Sequence, residues 1–151
     1  MWWGHSASAG KILMLQKKAV RLMCNANHLD HCKPLFCKLG ILPVHNVYIQ
    51  QCLLRIKEQE REFVTNQDVH SYETRSNMKL HVIRCRLAKV AESFPVSGLK
   101  FFNLMPAPVR MLPLSKFSAV INAWLLLNPF YSIEEFLHSN HEDIVLLMKE
   151  V

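Results

Sequence analysis

The sequence predicts a mostly α protein: a single small helical domain with a long ordered loop and, at most, one short β-strand pair. Three observations lead there. Apolar residues recur at three- and four-residue spacing along much of the 151-residue chain, half of which is hydrophobic. Only four glycines occur, too few for a turn-rich barrel or a glycine-rich phosphate loop. Residues that start and stop helices fall between the periodic stretches.

Taken in order, residues 1–8 read as an exposed lead-in, with Ser8 as a helix cap. From Ala9 to about Asn25, Ile12, Leu15, Ala19, Leu22 and Met23 form an apolar stripe, while Lys11, Lys17, Lys18 and Arg21 fall largely elsewhere. Pro34 suits the first turn of a short helix to Leu39, which Gly40 ends in a left-handed conformation. Pro43 opens a helix to about Phe63, striped by Val44, Val47, Tyr48, Cys52, Leu53 and Ile56, whose charged end at residues 57–62 should project into water. Residues 64–79 lack a helical period and contain turn formers, which makes them the long loop. Leu80 to Leu87 alternates weakly, as one short strand would. Ser97 caps a short helix to Leu104, and Met105-Pro106-Ala107-Pro108 forbids regular structure. Ser115 caps a strongly apolar helix that Pro129 stops. Ser132 and Glu135 form a capping box for a last helix, 132–138. The domain spans 9–138, and 139–151 is an acidic amphipathic tail that extends the last helix or stays free. The expected core contains Leu15, Leu22, Phe36, Leu39, Ile41, Tyr48, Leu53, Phe101, Phe117, Ile121 and Trp124.

Charge is unevenly placed. The net charge is +6 and the isoelectric point about 9.2. Residues 1–57 hold eight Lys or Arg against Asp30 alone, and 75–116 hold eight against Glu92 alone. The segments 58–74 and 117–151 are each acidic. Two basic blocks could neutralise phosphates together; they could equally be solvated helix faces.

The five cysteines, Cys24, Cys32, Cys37, Cys52 and Cys85, lack the spacing of a disulfide framework. Met1 to His5 has no signal-peptide character, and no apolar stretch reaches the ~20 residues a membrane span needs. A reducing compartment, cytoplasm or nucleus, is expected, with free thiols and no membrane contact. Cys24, His28, His31, Cys32, Cys37, His45 and Cys52 invite a zinc reading, but the four- and five-residue spacings of Cys24–His28 and Cys32–Cys37 are not knuckle spacings. Separate structural roles are the better expectation. No cysteine stands in a nucleophile motif. The close acid pairs, Glu134–Glu135 and Glu142–Asp143, lie in the acidic C-terminal region. Neither a metal, a cofactor nor catalysis is expected. The loop around Tyr72 and Arg75 has two balanced readings: Arg75 on a phosphate with Tyr72 stacking on a base, or a loop tied down by its own side chains.

Several strings together are more specific. WGHSAS, LQKKAVRLMC, DHCKPLFCKLGILPVHNVYIQQCLL, DVHSYETRS, LKFFNLMP and FYSIEEFL occur in this order over roughly residues 3–137. In this arrangement the chain resembles the region behind the polymerase core in reverse transcriptases of jockey-like non-LTR retrotransposons. The resemblance implies a detached, non-catalytic C-terminal segment of an RNA-directed DNA polymerase, since the family's aromatic-x-Asp-Asp palm motif has no counterpart here. It implies weak, sequence-independent binding of RNA or an RNA–DNA hybrid, and an original partner in the polymerase core of the same polyprotein. Lys17, Lys18, Arg21 and Arg75 match basic positions of that tail and are the candidate backbone contacts, with Tyr72 beside them. His31, Pro34, Gly40, Tyr48, Asn103 and Pro106 match as fold determinants. The chain departs from the pattern at LMCNAN, where the family has a glycine-containing turn, and in its acidic end. The alternative expectation is a structural relic or protein-interaction fragment, prone to self-association and without nucleic-acid affinity.

Overall fold

The computed structural model describes residues 4–69 and 75–148. Its helices are α1 (Ala7–Met23), α2 (Cys32–Leu39), α3 (Val44–Glu58), α4 (Asn66–Val69), α5 (Ala88–Ala91), α6 (Phe94–Leu104), α7 (Ala107–Arg110), α8 (Leu114–Leu127), α9 (Ile133–Leu137) and α10 (Ile144–Leu147), with a 3-10 turn at Glu60–Glu62. The protein is mostly α, and no strand occurs among the described residues. No helix among them is long and apolar enough to cross a membrane.

α3 is the central element, packed between α6 and α8, with α1 against it and α2 against α1 and α8. Its period explains this position. Tyr48, Ile49, Cys52, Leu53 and Ile56 are all completely buried, against Phe101 and Phe102 of α6 and Phe117, Ile121 and Leu125 of α8. Gly98 lets α6 come close, because a Cβ there would stand 2.9 Å from Ile56. An aromatic cluster fills the far side: Phe136 meets Phe101 at 5.1 Å between ring centroids, Phe130 at 5.5 Å and His141 at 5.0 Å. Leu13, Val20, Cys32, Phe36 and Val44 form a second, smaller core where α1 and α2 meet.

Local chemistry sets the helix ends. Gly40 (φ +62°) ends α2, with Ile41 N–H donating to Phe36 O and Gly40 N–H to Cys37 O. The same paired bonds end α1, from Ala26 N–H to Arg21 O and Asn25 N–H to Leu22 O. Here Asn25 (φ +49°) takes the left-handed residue that glycine fills most easily, so LMCNAN makes its turn without one. Ser132 Oγ accepts from Glu135 N–H, as a capping box requires, although the Glu135 carboxylate reaches Tyr131 N–H, one residue earlier than the box predicts. His31 caps α2 through Nδ1.

Several expectations are corrected. Leu15 and Leu22, expected in the core, are 64% and 82% exposed, whereas Val20 is 1% and Leu13 6% exposed. α1 carries apolar residues on two faces, and the domain buries Ala9, Leu13 and Val20. Gln16, beside them, bonds Val44 N–H at 2.8 Å and Leu42 O at 3.4 Å. The Leu80–Leu87 strand does not form. Asn103 does the work of a neighbouring strand, since its side chain accepts from Leu80 N–H (2.9 Å) and donates to Leu80 O (2.8 Å). One isolated bridge, Thr65 to Leu80, remains. Serines move too: Ser6 rather than Ser8 caps α1, Pro113 rather than Ser115 stands at the start of α8, and Ser97 is buried inside α6. Pro106 and Pro108 sit at the start of α7, where a missing N–H costs nothing. Lys57 does not project into water; its ammonium is tucked between Glu60 and the carbonyl of Arg110. The chain after Asn140 folds back, burying Ile144 completely.

Candidate nucleic-acid interface

Lys17 and Lys18 lie on different sides of α1. Lys17 is half-buried, its Nζ 3.5 Å from the centroid of the Tyr131 ring. That is a close cation–π contact. Burial, with Cys32 and Glu135 beside it, pushes the Tyr131 hydroxyl up to about 12. Lys33 pairs with Glu135 on the same ring's flank. Burial alone would raise the Glu135 carboxyl; hydrogen bonds from Lys33 and Tyr131 N–H and the charges of Lys33 and Lys17 hold it below the usual carboxylate range. Arg21 is also engaged: Nε and Nη2 both donate to Asp30 O, at 3.0 and 2.9 Å, and clamp the turn after α1. Its fork is therefore occupied. Lys18 is exposed. The three α1 cations do not share a phosphate-facing surface.

Arg75 is exposed. Tyr72, with the rest of His70–Thr74, lies outside the described residues. Beyond Arg75 the structure brings out cations that the candidate set lacks. Lys79, Arg84, Arg86 and Lys89 are all exposed. None of these, nor Arg75, makes an ion pair among the described residues. No acid interrupts residues 75–91. The segment is anchored to the domain at several backbone positions. Asn103 bonds Leu80, and Arg110 Nη1 donates to Met78 O at 2.9 Å. Asn66 donates to Lys79 O and Ser76 O, Gln67 N–H to Asn77 O, and His81 N–H to Val64 O. Arg84, Cys85 and Arg86 line an open recess of about 500 Å³. The excess of basic residues in 75–116 was the available signal in the sequence.

The Cys/His set does not converge. Among the described residues no three His, Cys, Asp or Glu side chains are placed to hold a metal ion. Each member has its own surroundings: His31 caps a helix, Cys32 and Cys52 are buried in the two cores, and Cys37 is exposed. His45 sits at the base of a cleft of about 310 Å³ with Gly4, His5, Ser6, Ser132 and Glu134.

Two buried imidazoles make stability depend on pH. Burial holds His45 below its ordinary value of 6.5 despite Glu134 and Glu135, with His5 adding to the effect. Burial likewise lowers His141, against an opposing backbone hydrogen bond at Phe136 and the charge of Glu142. As pH falls below 6.5 the unfolded chain takes up protons that the native histidines refuse, so stability is full above that pH and is lost on acidification. The slope is at most about 1.4 kcal/mol per pH unit for each imidazole. Urea midpoints between about pH 7.5 and about pH 5 should fall, and the His45→Gln/His141→Gln variant should show a flatter dependence. A midpoint independent of pH in this window would mean that both rings are protonated in the fold.

Compared with protein-family models, curated proteins and solved structures, the chain matches none.

Proposed function

We propose that the chain is a non-catalytic nucleic-acid-binding module, related to the C-terminal segment of jockey-like reverse transcriptases. It grips the phosphate backbone of RNA or an RNA–DNA hybrid without reading sequence. The observation that carries this reading is the acid-free segment 75–91, whose Arg75, Lys79, Arg84, Arg86 and Lys89 are exposed and unpaired with any described acid. Cations that an ion pair does not already hold can replace condensed counterions, and the release of those counterions drives binding. The ordered strings of the resemblance support the choice of partner. The interface centres on this segment, with Lys18 outside it and with Lys17 and Arg21 serving the fold.

A salt titration tests it. Binding of a short labelled RNA–DNA hybrid should weaken with salt, log K against log salt having a slope near −4 if each of the five cations meets one phosphate. Arg84→Ala/Arg86→Ala/Lys89→Ala should reduce that slope by about 2, whereas Lys17→Ala/Arg21→Ala should leave it unchanged. The reading fails if the triple variant keeps the full slope, or if the folded monomer does not bind at low salt.

A further inference from the structure

α1 turns an apolar seam to solvent. Ile12, Leu15, Ala19 and Leu22 follow the three–four–three spacing of the a and d positions of a heptad, with Met23 beside the last of them. Ile12 is 46% exposed and Met23 58%, and Leu15 and Leu22 more so. The domain packs against the other apolar face of the same helix, through Ala9, Leu13 and Val20. Contiguous apolar surface of this kind marks an interaction site. Lys11 and Lys18, seven residues apart and both exposed, run along one edge of the seam at the positions that flank a heptad core. The other edge is Gln16, whose side chain the domain itself holds.

We propose that this seam docks an amphipathic helix of a partner protein whose own apolar stripe is flanked by acidic residues. The charge pattern selects this occupant. A second copy of the chain running antiparallel would set Lys11 and Lys18 against the same lysines, and running parallel it would offer them Gln16 and Met23. Neither supplies the opposite charge. A lipid surface fits less well, because the centre of the seam is the small Ala19, which admits a close helix backbone but adds little to insertion into lipid. The seam is separate from the cationic segment 75–91, so the two proposals fail independently.

The probe is a synthetic helical peptide with Leu at its a and d positions and Glu at the flanking positions, compared with a twin carrying Lys there. The chain should bind the Glu peptide about tenfold more tightly than its twin. Leu15→Ser/Leu22→Ser should abolish binding without loss of fold, because both side chains already lie in water. Lys11→Glu/Lys18→Glu should reverse the preference between the peptides. Three results would overturn the proposal: no preference or no binding, a dimer in sedimentation that Leu15→Ser/Leu22→Ser disperses, or binding to phosphatidylserine vesicles in place of the peptide.

Discussion

Asn46→Leu is expected to cost about 4 kcal/mol, close to the whole stability of a small domain. Asn46 is completely buried on the first turn of α3. Its Nδ2 donates to Leu125 O at 2.7 Å and Asn128 O at 2.8 Å, and its Oδ1 accepts from Phe130 N–H at 2.9 Å. The need for this side chain comes from the sequence of α8. Leu125 O would normally accept from the residue four positions later, but that residue is Pro129, which has no N–H. Leucine has a similar volume and fills the space while leaving three backbone groups without this partner, at about 1–3 kcal/mol each where no water replaces it. Asn46→Asp should be no milder. It keeps the shape, yet turns oxygen lone pairs toward two carbonyls and buries a charge. Urea denaturation reads the effect. Asn122→Ala, which removes one exposed bond from Gln50, should stay within about 0.5 kcal/mol. Equal losses from the two positions would remove Asn46 from its role as the clasp between α3 and the end of α8.

How far the fold was legible follows from the range of the interactions that decide it. Helix ends were readable where one local feature decides them, at Gly40, at Pro129 and at Ser132 with Glu135. They were not where several serines competed, since Ser8, Ser97 and Ser115 do not cap the helices read from them. Most of the central stripe of α3 was readable from its spacing, Tyr48, Cys52, Leu53 and Ile56 falling on one face, but the buried polar Asn46 and the fully buried Ile49 on that helix were not. α1 was not. Both of its faces are apolar, and the more hydrophobic one lies outside. The choice is made by residues far along the chain: the Val44 N–H and Leu42 carbonyl that hold Gln16, and the Tyr131 ring under Lys17. Period alone carries no information about them. The strand at 80–87 failed in a similar way, because a single side chain at Asn103 satisfies Leu80 in place of a sheet.

The candidate interface was half legible. The excess of positive charge in 75–116 is plain in the sequence, yet which cations remain available is a tertiary property. Lys17 and Arg21 looked equivalent to Lys18 until Tyr131 and the Asp30 carbonyl came into reach of them. Arg110 likewise belongs to the basic block by sequence, but its guanidinium donates to the carbonyls of Met105 and Met78. What is left in that block is Arg75, Lys79, Arg84, Arg86, Lys89, Lys100 and Lys116, the first five of them in the acid-free segment 75–91. Five cations without an ion pair among the described residues thus fall in one acid-free stretch whose anchors are backbone groups, and that density of unspent charge is what favours this segment over α1.

Phe136→Ala should cost about 4 kcal/mol, in the range for removing a fully buried aromatic ring. Phe136 contacts four rings: Phe101, Phe130 and His141, with Trp124 at 6.2 Å between centroids. They come from α6, from the turn after α8, from the return segment and from α8, so no single neighbour can move to fill the space. The cavity term therefore adds in full to the lost burial. Phe136→Leu, which keeps most of the volume, should lose about 1.5 kcal/mol. A second readout separates local from global damage. His141 is held below 6.5 by burial against this ring and Trp124. In folded Phe136→Ala, water entering beside the imidazole should raise its titration toward 6.5, as followed by NMR. If stability falls while His141 titrates as before, the ring holds α9 in place but does not shield the return segment, and Trp124 alone keeps that imidazole dry.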